Sequence, residues 1–202
     1  QTLVVCTTRN PVLISGSTPG AMTQEKLPLN EPCVNKLSIV GDMYGVLYAS
    51  PNGVVSIGPG AFDVITRPLL TRDEWAVYSQ AVMVGTIYQN MYLLFTIVNG
   101  TRTTLIFIRG DNPPMITLDG GANAVFLDST TANVYVVDPT TNHINQLDAD
   151  PLNNTFFEWK SKKFVLSEPT NFAAMKVQAD WDYINSTAAY IAQRNAIIAA
   201  NQ

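Results

Sequence analysis

The feature that most constrains this chain is the spacing of its turns. Runs of Val, Ile, Leu, Tyr, Phe and Thr, too short for helices, are cut repeatedly by Asn-Gly, Asp-Pro and Gly-Pro-Gly. Such runs suit a pleated, half-buried surface and read as strands. They fall into groups of four. Residues 36–40, 44–49, 54–57 and 62–65 form one set, and 82–88, 92–98, 104–108 and 115–118 a second. A third set comprises 124–127, 134–137, 144–147 and 156–159. In the first set Asn52-Gly53 reads as the hairpin turn between two apolar runs, because both residues tolerate positive φ. Asn99-Gly100 carries the same signal in the second set, and Asp138-Pro139 marks a turn in the third.

Comparable second strands, starting near Val46, Leu93 and Tyr135, recur 42 to 47 residues apart, which is the period of propeller blades. A β-sandwich spaces its strands similarly but does not group them in fours. The expected fold is therefore mainly β: a partial β-propeller of four-stranded antiparallel blades over residues 1–180, followed by a C-terminal helix within 181–202. About three blades are expected, with a partial one at the N-terminus, where runs 3–6 and 12–15 form a hairpin. Residues 16–20 read as a turn, and 24–32 as a proline-punctuated connector with little structure. Rings of this kind close with about four to eight blades. Closure is thus expected to need segments outside this sequence, as in a piece of a longer polypeptide.

Thr71-Arg72-Asp73-Glu74 has the spacing of a capping box and predicts a short helix near Trp75 and Tyr78. The alternative, Asp73 and Glu74 as an acid/base pair, is weak, since adjacent helical side chains diverge by about 100°.

Between Phe156 and Asp180, bulky residues Phe156, Phe157, Trp159, Phe164 and Val165 flank Lys160, Ser161, Lys162 and Lys163. Pro169 then interrupts the pattern, and an extended run over 172–179 ends at Asp180. The stretch FEWKSKKFVL, followed by Pro169-Thr170-Asn171-Phe172 and a run ending in Ala179-Asp180, resembles the tail nozzle (tail hub, tail tubular B-like) proteins of short-tailed bacteriophages. LYASPNGVVSIGPGAFDVIT over 47–66 and LLTRDEW over 69–75 point the same way, and the likeness spans roughly residues 32–200. It implies a structural protein of the virion tail, assembled in the host bacterial cytoplasm. Such a protein forms a homo-oligomeric ring, with a hexamer suggested. Its partners would be the adaptor (head-to-tail connector) ring, tail fibres or a tail plug, and DNA that passes through the channel without specific binding. It implies no enzymatic reaction, no cofactor and no membrane insertion.

The composition fits that picture. Of 202 residues 47% are hydrophobic and only 14% charged, against a usual charged share of about a quarter. That is too apolar for disorder and leaves surfaces of Thr, Asn and Ser, or surfaces covered by neighbouring chains. A net charge of −4 argues against a sequence-independent nucleic-acid binder. No apolar run approaches the ~18 residues of a membrane helix, and no basic segment marks 1–6 as part of a signal peptide. Cys6 and Cys33 could pair, but both sit in or beside apolar runs and read better as buried free thiols.

Catalytic and metal signals are thin. His143 is the only histidine and lies in a turn-like segment without a nucleophile nearby, so a triad or zinc site is not indicated. Asp148, Asp150, Asn153 and Asn154 mimic a calcium loop. However, its sixth position is Asn153 rather than Gly, and its twelfth is Trp159 rather than Glu. Gly120-Gly121 lacks phosphate-loop spacing, and the N-x-Ser/Thr sequons at Asn99, Asn153 and Asn185 read as incidental. Lys160, Lys162 and Lys163 form the basic cluster; as an edge-protecting or subunit-contact feature they make more sense than as a DNA patch. Two rival functions stay open: a lectin-like propeller with Trp75, Trp159 or Trp181 stacking on sugars, and a propeller glycoside hydrolase, for which spacing nominates no carboxylate pair.

From Trp181 the composition turns helical. Ile184, Ala188, Ile191, Asn195 and Ile198 recur at alternating spacings of four and three, a heptad stripe in which Asn195 is the register-setting polar member. Either this helix meets another helix, or it lies on its own domain. A helix so short is marginal alone in water, so a partner must stabilise it. Replacing Ile191 and Ile198 by Asp should therefore weaken assembly and leave the β region folded. Each change costs about 2–5 kcal/mol if the site is well packed. Unchanged oligomer mass and melting temperature in the double variant would make the helix a solvated linker.

Overall fold

The computed structural model describes residues 2–108 and 114–149, together with Ala192. The chain divides into two compact units, Gln1–Leu147 and Asp148–Gln202. The expected strand 156–159, the basic cluster and the boundary at 180/181 lie outside the described residues. So does the heptad stripe, although Ala192 within the expected helix is helical and exposed.

The first unit is mainly β, with four antiparallel sheets and almost no helix. Each sheet is a meander of consecutive strands. The first contains β1 (Thr2–Val5), β2 (Val12–Ser15) and β3 (Thr23–Lys26) in that order. The second contains β4 (Val40–Asp42), β5 (Gly45–Ser50), β6 (Gly53–Gly58) and β7 (Ala61–Val64). After helix α1 (Arg72–Ala76), the third sheet runs through β8 (Val84–Tyr88), β9 (Met91–Val98), β10 (Thr101–Ile108) and β11 (Met115–Asp119). The fourth holds β12 (Val125–Leu127), β13 (Val134–Val137) and β14 (Ile144–Gln146). No strand is shared between sheets, so two interleaved facing sheets are excluded; nor does any of the four close on itself.

Three corrections to the sequence reading concern boundaries. Residues 36–40 are not one strand: Asn35 caps a 3-10 turn, Lys36–Ser38, and the strand starts only at Val40. The Asn35 side chain offers the backbone a local alternative to the ladder by accepting from Leu37 N–H at 2.9 Å. Residues 23–26, all polar and all exposed, pair with β2 as an edge strand rather than belonging to a loose connector. An edge strand needs no apolar alternation, and its Glu25 and Lys26 discourage further pairing. Finally, β5 and β6 pair as far as Ser50 opposite Gly53, so the two-residue turn is Pro51-Asn52, one position before the expected pair.

Elsewhere the turn chemistry matches. Asn99 and Gly100, at φ 49° and 81°, link Val98 to Thr101 as a two-residue turn with both residues left-handed. Gln89 and Asn90 do the same between β8 and β9 without a glycine. The capping box forms in full, with Thr71 Oγ1 accepting from Glu74 N–H and the Glu74 carboxylate accepting from Thr71 N–H at 2.7 Å.

The sheets lie face to face in chain order, and alternate residues of each strand serve opposite neighbours. On the second sheet, Tyr48, Val55, Ile57 and Val64 pack with Val4 and Leu13 of the first. Their strand neighbours Leu47, Ala49 and Val54 pack instead with Tyr92, Leu94, Leu105 and Phe107 of the third. The opposite face of the third sheet places Val84, Leu93, Phe95 and Ile106 against Val125 and Val136 of the fourth. The second, third and fourth sheets also converge. The first strands β4, β8 and β12 are neighbours, with β8 between the other two, whereas β7 and β11 make no such approach.

That convergence leaves little room at β8. The buried Tyr92 hydroxyl donates to Ser38 O at 2.7 Å, and a Cβ added at Gly85 would lie 2.9 Å from both oxygens. Gly85→Ala should therefore break this link between the third sheet and the turn that precedes the second, and cost about 1–3 kcal/mol, as overpacking does. A urea midpoint equal to that of the parent protein would disprove the tight contact.

Candidate functional site

The densest buried polar cluster forms around Glu31, in the segment that leads from the first sheet to the second. That segment is bonded on both sides. Leu27 N–H donates to Pro11 O and Cys33 N–H to Thr7 O in the first sheet's hairpin, while Val34 N–H donates to Ala49 O of β5. Leu27, Leu29 and Cys33 turn their side chains into the apolar cluster between the two sheets. Glu31 shares that two-residue alternation and is carried inward with them, where it is 6% exposed.

Its carboxylate is well satisfied. Ser50 Oγ donates to Oε2 at 2.8 Å, and Asn52 Nδ2 lies 3.1 and 3.0 Å from the two oxygens. Arg67 approaches to 4.0 Å from a largely exposed position that it shares with Asp63. The Tyr48 hydroxyl donates to Glu31 O at 2.7 Å, and Trp75 Nε1 donates to Ser50 O at 2.9 Å. Gln80 Nε2 reaches Pro51 O at 3.5 Å. One turn, Ser50-Pro51-Asn52, is thus held by the connector, by α1 and by the approach to β8. Burial first, then the neighbouring Cys6 and Cys33 thiols, raises the Tyr48 hydroxyl pKa, so it stays a neutral donor. Because the carboxylate's acceptors are occupied by hydrogen bonds within the fold, the arrangement serves as a structural clamp.

The sequence candidates distribute as follows. Trp75 is 1% exposed, packed in the core beside Tyr78 at a ring separation of 5.7 Å, and offers no surface for stacking on a sugar. Trp159 and Trp181 lie outside the described residues, as do Lys160, Lys162, Lys163, Ile184, Ile191, Asn195 and Ile198. Glu74 is engaged in its capping box, whose hydrogen bonds from Thr71 hold its pKa below the usual value.

His143 is exposed in a tight loop built around Asp138. The Asp138 carboxylate accepts from Thr140 N–H and Thr141 N–H, which lowers its pKa, and Asp138 N–H donates to His143 O. The preceding loop repeats this construction with Asp128, Thr130, Thr131 and Asn133. Both are Asx-type turns that close the hairpins of the fourth sheet. Among the described residues, no group of three or more His, Cys, Asp or Glu could hold a metal ion. No helix among them is long and apolar enough to cross a membrane.

Cys6 and Cys33 are free and half-buried rather than fully buried. Burial, followed by the nearby Cys33, pushes the Cys6 thiol up to about 12, and Cys33 is raised as well, mainly by burial. Thiols held protonated in this way are poor nucleophiles.

Sequence reasoning missed Glu31. The available signal was the alternation Leu27, Leu29, Glu31, Cys33 inside a segment read as unstructured. No protein-family model and no curated protein matches the chain.

Glu31→Leu should strand the Ser50 and Asn52 donors and lower stability by about 1–3 kcal/mol. Arg67→Ala should cost less than about 1 kcal/mol, because the guanidinium is 67% exposed and only grazes the carboxylate. Urea unfolding of the two variants side by side checks the contrast; equal losses would refute the clamp.

Proposed function

We propose that this chain is part of a subunit of the tail nozzle ring of a short-tailed bacteriophage. In this reading its sheets are propeller blades of a structural wall around the DNA ejection channel. The carrying observation is the stack itself: consecutive antiparallel meanders packed face to face, with the first strands of the second, third and fourth sheets drawn together. Blades around an axis require this arrangement, since sheets that diverge outward must meet at one edge. The stretches that resemble nozzle proteins support the reading from the sequence side. Residues 47–66 form the meander β5–β7, and 69–75 lead into the capped helix α1 that anchors it.

The proposed role is mechanical: a rigid wall, contacts with the adaptor ring and tail appendages, and passage for DNA. Few charges and a net charge of −4 suit a surface that lets phosphate slide past instead of holding it. The burial of Trp75 removes one of the three aromatic platforms on which the lectin reading depended.

Two measurements test the proposal. Particle images of the purified full-length protein should contain rings with an open central channel. Labelled duplex DNA at physiological salt should show no measurable anisotropy change up to micromolar protein. Salt-sensitive binding at micromolar concentration or tighter would contradict a passive channel wall, and particles lacking a channel would remove the nozzle assignment.

A further inference from the structure

Asn-Gly occurs at Asn52-Gly53 and at Asn99-Gly100, and the fold treats the two pairs in opposite ways. Such a pair has a chemistry of its own. The glycine amide nitrogen attacks Cγ of the asparagine, the bond from Cγ to Nδ2 breaks, and ammonia leaves. The cyclic imide that remains takes up water at either carbonyl and opens to aspartate or to backbone-shifted isoaspartate. The reaction needs an unengaged side-chain amide, a glycine nitrogen outside any ladder, and room for the peptide between them to rotate. Glycine supplies the rotational freedom only where its surroundings are open.

Asn99-Gly100 meets all three needs. Both residues are exposed. Val98 pairs with Thr101, so the Gly100 nitrogen lies in the turn and outside the β9–β10 ladder. The Asn99 side chain makes no hydrogen bond among the described residues. A Cβ placed on Gly100 would find no atom within 4 Å, so the peptide has space to swing. Asn52-Gly53 fails on every count. Its Nδ2 is held by both carboxylate oxygens of Glu31, at 3.1 and 3.0 Å. Gly53 pairs with Ser50 in the β5–β6 ladder, and a Cβ there would lie 2.6 Å from Val64 Cγ1 and closer still to Thr66 Oγ1. We infer that Asn99 is a site of spontaneous modification, converted through the cyclic imide to aspartate and isoaspartate, and that the Glu31 clamp shields Asn52 from the same reaction. The product at Asn99 bears on the fold. Isoaspartate routes the backbone through the former side chain and lengthens a turn that joins two eight-residue strands, β9 and β10, by only two residues. Either product also adds a negative charge at the tip. This chemistry is independent of the ring reading above.

Ageing the full-length protein in mildly alkaline buffer, with and without denaturing urea, tests both halves. Trypsin, which does not cut before Pro68, places the two pairs in separate peptides, 37–72 and 73–102, for mass spectrometry. In the folded protein, peptide 73–102 should gain the mass difference between an amide and an acid, as two chromatographically distinct products, with fragment ions locating the change at Asn99. It should convert roughly tenfold faster than 37–72 or more, because ring closure at Asn52 must first break hydrogen bonds to a carboxylate. In urea the two rates should converge, since the fold and not the local sequence separates them. Equal rates in the folded protein would overturn the shielding of Asn52. An Asn99 that stays intact in the folded protein while the urea-treated chain converts would overturn the modification site.

Discussion

The structure depends on mutual burial of sheet faces. At their centres neither the second nor the third sheet has a solvent side: β5, β6, β9 and β10 send alternate residues into two different apolar clusters. Burying a Leu, Val or Phe side chain stabilises by about 1.5–3 kcal/mol, and the two central sheets collect this on both faces. This explains why β9 reads Met-Tyr-Leu-Leu-Phe-Thr-Ile-Val with scarcely a polar break. A sheet with one wet face would alternate; one covered on both sides need not. The scarcity of charge in β5, β6, β9 and β10 follows from the same geometry, because so much of their surface faces another sheet.

Close stacking brings backbone into places water cannot reach, and polar side chains meet that need. Thr66 Oγ1 accepts from Val54 N–H at 3.0 Å, Ser38 Oγ accepts from Ala49 N–H at 3.0 Å, and Tyr92 donates to Ser38 O. Trp75 and Glu31 complete the set around the β5–β6 turn. These bonds run between elements instead of along a ladder, so they set how one sheet lies on the next. Leaving any of these buried groups unpaired is costly, whereas the net gain from each bond is small. Their main effect is therefore to specify one arrangement among many that apolar packing alone would accept.

Such cross-bonding suits the structural role proposed above. Free thiols kept protonated, carboxylates engaged in turns and caps, and a clamp whose acceptors are used up describe side chains committed to holding the fold.

Short strands of the right composition, cut at Asn-Gly and Asp-Pro, were readable directly, and β5–β11 and β13 fall close to where that pattern puts them. Local chemistry settled these elements: a turn residue or a capping box acts within a few residues, so one sequence is enough to see it. Edge strand β3 was not readable, since an all-polar strand is held by its neighbour's hydrogen bonds and carries no apolar period of its own. The 3-10 turn at Lys36–Ser38 was hidden for the converse reason, as Asn35 outcompetes the strand pattern of Leu37 and Ile39. Glu31 and Trp75 mark the limit most clearly. In sequence, one is an acidic residue in a loop and the other an aromatic available for a ligand. Burial makes them a clamp and a core anchor, and burial is decided by which sheet faces which, a relation that no local stretch contains.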